Sequence, residues 1–425
     1  MASSLPKHYI KKLDNGLEVL AIPLNNHSGV VTTNVIYKVG SHDEMMGKSG
    51  IAHMLEHMNF KSTKNMKAGE FDKIVKGFGG LNNAYTNFDY TLYYIKSSSQ
   101  NMHKSMELFA DIMANLELKD EEFQPERKVV LEERKWRTDN SPTGFAYFRL
   151  FNEHFTTHSY HWTPIGFKED IVSWNINDLK EFHEKFYKPS NAIVVVAGDI
   201  KPEEVFKSAK EAFGKLKDPK PEFHDSIFDT YKPHKVERMG KKRVVEYKKG
   251  VSSDILAIAY DTPKFGDKDQ LALSVLTEIL SSGKSCRLYK RIVDKKQMAT
   301  TVYGYNMELK DSGVFVFFAI ANPGVRAKQI EAEILDEIAK IKNGDLTQAE
   351  LDKVKINTKF DFLRELDSSS EISNLYGSYL AKGSLKPLLD YEDNLDKITL
   401  KDIQEVAQKY FNNKKSTTYI LKGEK

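Results

Sequence analysis

The chain has 425 residues, 63 Lys and Arg against 60 Asp and Glu, and 40% apolar residues. A net charge of +3 excludes a strongly basic nucleic-acid binder, and the length allows two or three domains with sizeable cores. One cysteine, Cys286, excludes an intramolecular disulfide and any Cys-built zinc site.

The first elements read as strands. Tyr9 to Leu13 and Leu17 to Ile22 flank Asp14-Asn15-Gly16, a turn sequence that tolerates positive φ, so a hairpin is expected. Val30 to Val39 reads as a further strand. A helix should begin after Gly47-Lys48-Ser49-Gly50 and carry the run HMLEHMNF, residues 53–60. Phe71 to Phe78 predicts a short helix ending at Gly79-Gly80, and Tyr90 to Lys96 alternates as a strand. Helices are expected over 101–116 and 120–138. Leu179 to Phe186 is amphipathic, and Ala192 to Ala197 reads as a buried strand.

The chain also repeats itself. Asp178-Leu179-Lys180-Glu181-Phe182, followed by Phe186-Tyr187, resembles Asp402-Ile403-Gln404-Glu405-Val406, followed by Tyr410-Phe411, at a constant offset of 402 − 178 = 224. Each copy leads into a β-rich run, Ala192–Ala197 and Thr417–Leu421. The simplest account is an α+β chain holding two homologous α/β-sandwich-like domains. One spans 1–214 and one 241–425, with a linker over 215–240 where Pro219, Pro221 and Pro233 interrupt polar sequence. The basic run Lys241-Lys242-Arg243 reads as a solvated strand entrance. No apolar run approaches the 18–20 or so residues of a membrane span, and no signal core opens the sequence. A soluble protein without membrane or nucleic-acid partners is expected. The cytoplasm is the expected compartment, or the periplasm if a leader precedes this sequence.

Residues four apart on a helix share a face, so His53 and His57 can aim two imidazoles at one ion. Zinc is held by two such nitrogens plus a carboxylate, with a position left for water. Glu56 lies on the same side and can act as general base toward that water. All twelve His precede residue 235, which confines His–zinc chemistry to the first repeat. The segment PERKVVLEERKW offers Glu126 and Glu133, two turns apart on one helix face, and either carboxylate could complete the site.

The run GSHDEMMGKSGIAHMLEHMNFKST (40–63) resembles the signature of the pitrilysin/insulinase family of zinc peptidases, including the mitochondrial processing peptidase branch. GGLNNAYTNFDYTLYY (79–94), PERKVVLEE (125–133), HSYHWTPIGFKEDI (158–171) and YKPSNAIVVVAGD (187–199) follow in the family order. The resemblance implies one zinc per chain on His53, His57 and Glu133, the last by the family interval, here 133 − 57 = 76. It implies Glu56 as the general base and Glu126 as an acid supporting a ligand. It implies Asn83, Ala84 and Thr86 on an edge strand where substrate peptide is laid. It further implies a clam-shell dimer of chains, hydrolysing unfolded or short peptides in an enclosed chamber.

One family feature is missing. Active members carry an Arg and a Tyr seven apart in the second domain. Here IVDKKQMATTVY (292–303) puts Val293 and Thr300 at those positions, and Arg287, Tyr289 and Tyr303 stand at the wrong offsets. The resemblance therefore implies a homologous partner chain supplying the pair. A heterodimer is the first reading and a homodimer the second. The alternative function is a non-catalytic structural subunit of a larger complex.

Overall fold

The computed structural model describes residues 4–220, 222, 226–230 and 240–423; Pro221 and Pro233 of the expected linker lie outside the described residues. The chain forms two compact units. The first comprises Met1–Arg134, Trp162–Pro233 and Leu363–Leu388, the second Lys135–His161, His234–Phe362 and Leu389–Lys425.

In the first unit, β1 (Tyr9–Lys12) and β2 (Glu18–Pro23) form the expected hairpin around Gly16, whose φ of 88° suits the residue without a Cβ. With β3 (Val30–Tyr37), β4 (Leu81–Thr86), β5 (Thr91–Ser98) and β6 (Ala192–Gly198) they make a sheet in the order β1-β2-β6-β3-β5-β4. Period-2 alternation splits β3 between two faces. Val31, Val35 and Tyr37 join the core under helices α1 (Ile51–Met58), α2 (Glu70–Gly77), α3 (Met102–Asn115) and α4 (Asp120–Arg134). Thr32 and Asn34 turn to the other face, where helix Ser369–Ala381 covers the sheet. Thr32 bonds the Ser369 hydroxyl at 2.8 Å, and the Asn34 amide donates to Asn374 Oδ1 at 2.8 Å. Gly377 permits the close approach, since a Cβ there would lie 2.2 Å from Ile36 Cδ1.

The second unit has β7 (Lys242–Lys248), β8 (Ile255–Thr262), β9 (Ala299–Met307), β10 (Gly313–Ala321) and β11 (Thr417–Gly423) in the order β7-β11-β8-β10-β9. This is the first sheet again, strand for strand, from β2 onward. β6 runs parallel to β2 and antiparallel to β3, as β11 runs parallel to β7 and antiparallel to β8. Helix Ile176–Phe186 and helix Leu400–Tyr410 carry matching N-terminal capping boxes, Asn175 with Asp178 and Thr399 with Asp402. These are the residues behind the 224-residue repeat. The fold is therefore two homologous α+β units in one chain.

The units differ in one respect from the contiguous halves 1–214 and 241–425. Helix Pro142–His154, from the first half of the sequence, belongs to the second unit, where His154 Nδ1 lies 3.1 Å from Thr417 Oγ1. Helix Ser369–Ala381, from the second half, belongs to the first. An amphipathic pattern shows that a helix has a face to bury, not which sheet receives it. The basic run at 241–243 is neutralised rather than merely solvated: Lys242 pairs with Glu153 at 2.6 Å and Arg243 with Glu331 at 2.6 Å. No described helix is long and apolar enough to cross a membrane.

Candidate metal centre

Helix α1 is fixed at its start by groups packed into the first unit. Gly50 holds the N-cap at φ 84°, and a Cβ there would stand 2.8 Å from the Ile165 carbonyl oxygen. The buried Glu44 accepts from the Gly50 N–H at 2.7 Å and from the Ala52 N–H at 2.8 Å. Two of the N–H groups that a helix start leaves open are thus satisfied. Burial pushes the Glu44 carboxyl well above its usual range, and these two donors oppose the push. Ser49 donates through both its hydroxyl (2.5 Å) and its N–H (3.0 Å) to Asp170, and Lys48 pairs with Asp178 at 2.6 Å. These contacts explain why the Gly-Lys-Ser-Gly and Lys-Glu-Asp-Ile runs accompany the histidine motif.

With Ile51, Ala52, Met54, Leu55 and Met58 buried in the core, the remaining face of α1 carries His53, Glu56 and His57. α4 buries Phe123 and Val130, which leaves Glu126 and Glu133 beside that stripe and toward α1. The three ligand-type atoms then converge. His53 Nε2 and His57 Nε2 are 3.3 Å apart. Glu133 Oε2 lies 3.5 Å from the first and 3.4 Å from the second. Ligand atoms about 2.0–2.2 Å from a tetrahedral ion stand about 3.3–3.6 Å apart, so this triangle is one face of a zinc-sized tetrahedron. Either Glu126 or Glu133 could have been the third donor on helical spacing alone; the structure brings Glu133 to both Nε2 atoms.

Glu126 does something different. Its Oε1 meets His57 Nδ1 at 2.8 Å and its Oε2 meets Lys61 Nζ at 2.6 Å. With Nδ1–H donated to the carboxylate, the Nε2 lone pair of His57 faces the triangle. The His57 hydrogen bond, helped by Lys61 and opposed by partial burial, holds the Glu126 carboxyl down to about 2. Burial is the largest single influence on His57 and lowers its pKa. The carboxylates of Glu126 and Glu133 together outweigh it and raise the metal-free imidazole to about 9.

Glu56 Oε2 accepts the Thr86 hydroxyl at 2.5 Å. Burial raises the Glu56 carboxyl above its usual range, with Glu133 adding to the rise and Thr86 and His57 opposing it. β4 is an edge strand among the described residues. Asn83 is exposed on it, and its Oδ1 accepts the Ala84 N–H at 2.9 Å. Of the three residues expected to meet a peptide, Asn83 and Ala84 thus stand on the edge, while the Thr86 side chain turns to Glu56. Sequence reasoning missed Glu44 and Lys61. Lys61 carried a signal, four residues beyond His57; Glu44 carried none.

In the second unit, Val293 is half-buried against the core and Thr300 is exposed on β9, donating to the Ile320 carbonyl at 3.3 Å. Arg287 is held by both oxygens of Glu350, each at 2.9 Å.

Comparison with known proteins identifies the family. Residues 20–144 match the model of the insulinase family, peptidase family M16, and residues 173–358 match that of the peptidase M16 inactive domain. A protein of Helicobacter pylori named zinc protease PqqE is 49% identical over 420 residues, covering 99% of this chain and 94% of that one. A crystal structure of a protease from Helicobacter pylori superposes with a TM-score of 0.94 at 48% identity, covering 98% of this chain and all of the other. A protein of Arabidopsis thaliana named "Probable mitochondrial-processing peptidase subunit beta, mitochondrial" is 25% identical, covering 97% of this chain and 77% of its own length. With family models matching residues 20–144 and 173–358, and with 49% identity to a relative over nearly its whole length, this chain belongs to the insulinase family, peptidase family M16.

Proposed function

We propose that the chain is the metal-bearing subunit of a zinc-dependent endopeptidase that binds one zinc through His53, His57 and Glu133 and cleaves unfolded or short peptides. The observation that carries the reading is the triangle of 3.3, 3.4 and 3.5 Å between their ligand atoms, sized for a tetrahedral ion. Zinc held there supplies Lewis acidity, which polarises a carbonyl and lowers the pKa of a water.

The chain's own residues do the rest. Glu126 fixes the His57 ring so that Nε2 offers its lone pair, and Lys61 pairs with the other Glu126 oxygen. Glu56 has one oxygen engaged by Thr86, which leaves Oε1 to take a proton from the attacking water and later pass it to the leaving amine. Burial brings its carboxyl nearer to neutral pH, where a base is most effective. The β4 edge receives the substrate backbone as an added strand. Asn83 gives up its bond to the Ala84 N–H as the peptide arrives, because only an unpaired N–H can hold a new strand.

Val293 and Thr300 supply neither a charged fork nor a phenol, so the donors that stabilise the tetrahedral oxygen come from a homologous partner chain that encloses the substrate. The name of the plant relative as one subunit of a peptidase is in keeping with this. A purely structural subunit would give no reason for the ligand spacing or for a half-buried Glu56 beside it.

The test is zinc analysis of the purified chain, followed by cleavage of a quenched fluorescent peptide with and without chelator, alone and with a homologue lacking the histidine motif. One zinc per chain and chelator-sensitive cleavage in the mixture are expected. A chain that takes up no zinc, or a mixture that cleaves equally well in chelator, overturns the reading.

A further inference from the structure

The second unit holds a cavity of about 650 Å³, within the range of small-molecule pockets. Its position is informative. In the first unit the metal centre lies between α1, which follows β3, and α4, which follows α3. In the second, the helix that follows β8 is Gln270–Ser281, and helix Gln348–Arg364 comes after helix Ala327–Lys342. Those two helices, the counterparts of α1 and α4, wall the cavity with Glu278, Ile279 and Ser282 on one side and Glu350 to Asp361 on the other. The second unit keeps a cleft at this place, and no histidine lines it.

The lining is charged but balanced, with three cations, Arg287, Lys290 and Lys353, against three acids, Glu278, Glu350 and Asp361. A neutral total disfavours a simple anion or cation, and the charges are sorted along the cleft. Arg287 binds Glu350, one turn from Lys353, and Lys290 lies one turn beyond Arg287. Burial raises the Glu278 carboxyl, and the nearby charge of Asp361 adds to the rise. Because Arg287 and Glu350 cancel, the two lysines leave one end positive and the two acids leave the other end negative. Lys353 and Asp361 are eight residues apart on one helix, about 12 Å at 1.5 Å per residue. An extended peptide advances about 3.3–3.6 Å per residue, so three or four residues span that distance from ammonium to carboxylate. Ile279, Val354 and the exposed Phe360 supply apolar wall between the ends.

We propose that this cavity binds a short zwitterionic peptide of three or four residues, its ammonium at Glu278 and Asp361 and its carboxylate at Lys290 and Lys353. The site is a relic of the duplication that reads peptide ends instead of cutting bonds. It does not depend on the metal-centre reading, since none of its residues belongs to that centre.

The test uses the full chain as the Glu56→Gln variant, so that no probe is cleaved. Calorimetry follows Ala-Leu-Leu-Ala with free ends, with an acetylated N-terminus and with an amidated C-terminus. Each blocked form should bind about tenfold more weakly or worse, the usual effect of losing one charge-assisted pair. Reversing both exposed lysines (Lys290→Glu with Lys353→Glu) should weaken the free peptide as much, with zinc content and melting temperature unchanged. Adding His53→Ala should leave peptide affinity unchanged. Equal binding of free and blocked peptides, indifference to the lysine reversal, or loss of binding with His53→Ala would each overturn the proposal, the last by locating the peptide at the metal centre. Absence of binding at millimolar peptide would overturn it too.

Discussion

The two units share one strand order and differ in what their helices present to the cleft. α1 buries five apolar side chains and keeps His53, Glu56 and His57 on its remaining face. Helix Gln270–Ser281 buries Ala272, Leu273, Val275, Leu276, Ile279 and Leu280 and carries no histidine. The same scaffold thus supports a ligand triangle in one place and a neutral, charge-sorted cavity in the other. Topology sets where a cleft forms, and a handful of side chains on two helices set its chemistry.

The comparison can be broken most severely by cutting the chain. Each sheet has one face covered by a helix from the other half of the sequence, Ser369–Ala381 on the first and Pro142–His154 on the second. Residues 1–214 and 241–425 expressed separately should each expose a whole sheet face and fail to give a cooperative melt. Co-expressed, they should associate and recover zinc binding. Independent cooperative unfolding of either half would show that the exchanged helices are dispensable.

Next in size is Glu56→Gln, which keeps the Thr86 contact possible but cannot accept a proton. Cleavage by the partner-complemented enzyme should fall about 10²–10⁴-fold with zinc retained. Lys353→Ala, in the second unit, should leave zinc content as it is. Near wild-type turnover of the Glu56 variant would remove its role as base.

Much of this contrast was legible in the chain. The hairpin at Asn15-Gly16, the helix after Gly50 and the strand at Ala192 follow from turn chemistry and periodicity, which are local. The repeat at Asp178 and Asp402 was visible because both are the N3 residues of capping boxes, a geometry that tolerates few residue types. What stayed hidden is long-range. Nothing near Ser369 says that its helix will cover β3, and nothing near Glu44 says that it will cap α1. Thr86 stands on an edge strand, which the sequence shows, but the hydrogen bond of its hydroxyl to Glu56 follows only from the packing of α1 beside β4.

A smaller effect tests the support behind the ligands. Glu126→Gln should keep a hydrogen-bond partner for His57 while removing the charge that Lys61 balances. Zinc affinity should drop about 10–100-fold, measured by competition with a chromogenic chelator. Lys61→Ala should weaken it less, since Glu126 stays ionised near neutral pH. An unchanged affinity for Glu126→Gln would reduce that residue to a packing role.

The smallest effect separates the two clefts by pH. Without metal, His57 is raised to about 9 because the Glu126 and Glu133 carboxylates outweigh burial. A raised imidazole contributes stability that is fully present below its unfolded value near 6.5. That contribution is lost as pH rises through about 9. The metal-free chain should therefore lose a little melting temperature across that window. Zinc requires the neutral ring, so uptake must expel the proton that His57 holds. At pH 7.5, where His57 is protonated in the free chain, calorimetry in buffers of different ionisation enthalpy should report about one proton released per zinc. Apparent zinc affinity should climb about tenfold per pH unit until it levels near 9. Peptide binding in the second cleft involves no histidine and should not rise between pH 6.5 and 8; it should fall a few-fold toward pH 8 as the peptide's own α-amino group, ordinarily about 7.7–8.0, loses its proton. Zinc uptake without proton release would mean that the carboxylate pair does not hold His57 charged, and a peptide affinity that tracks the zinc curve would place the peptide at the metal centre.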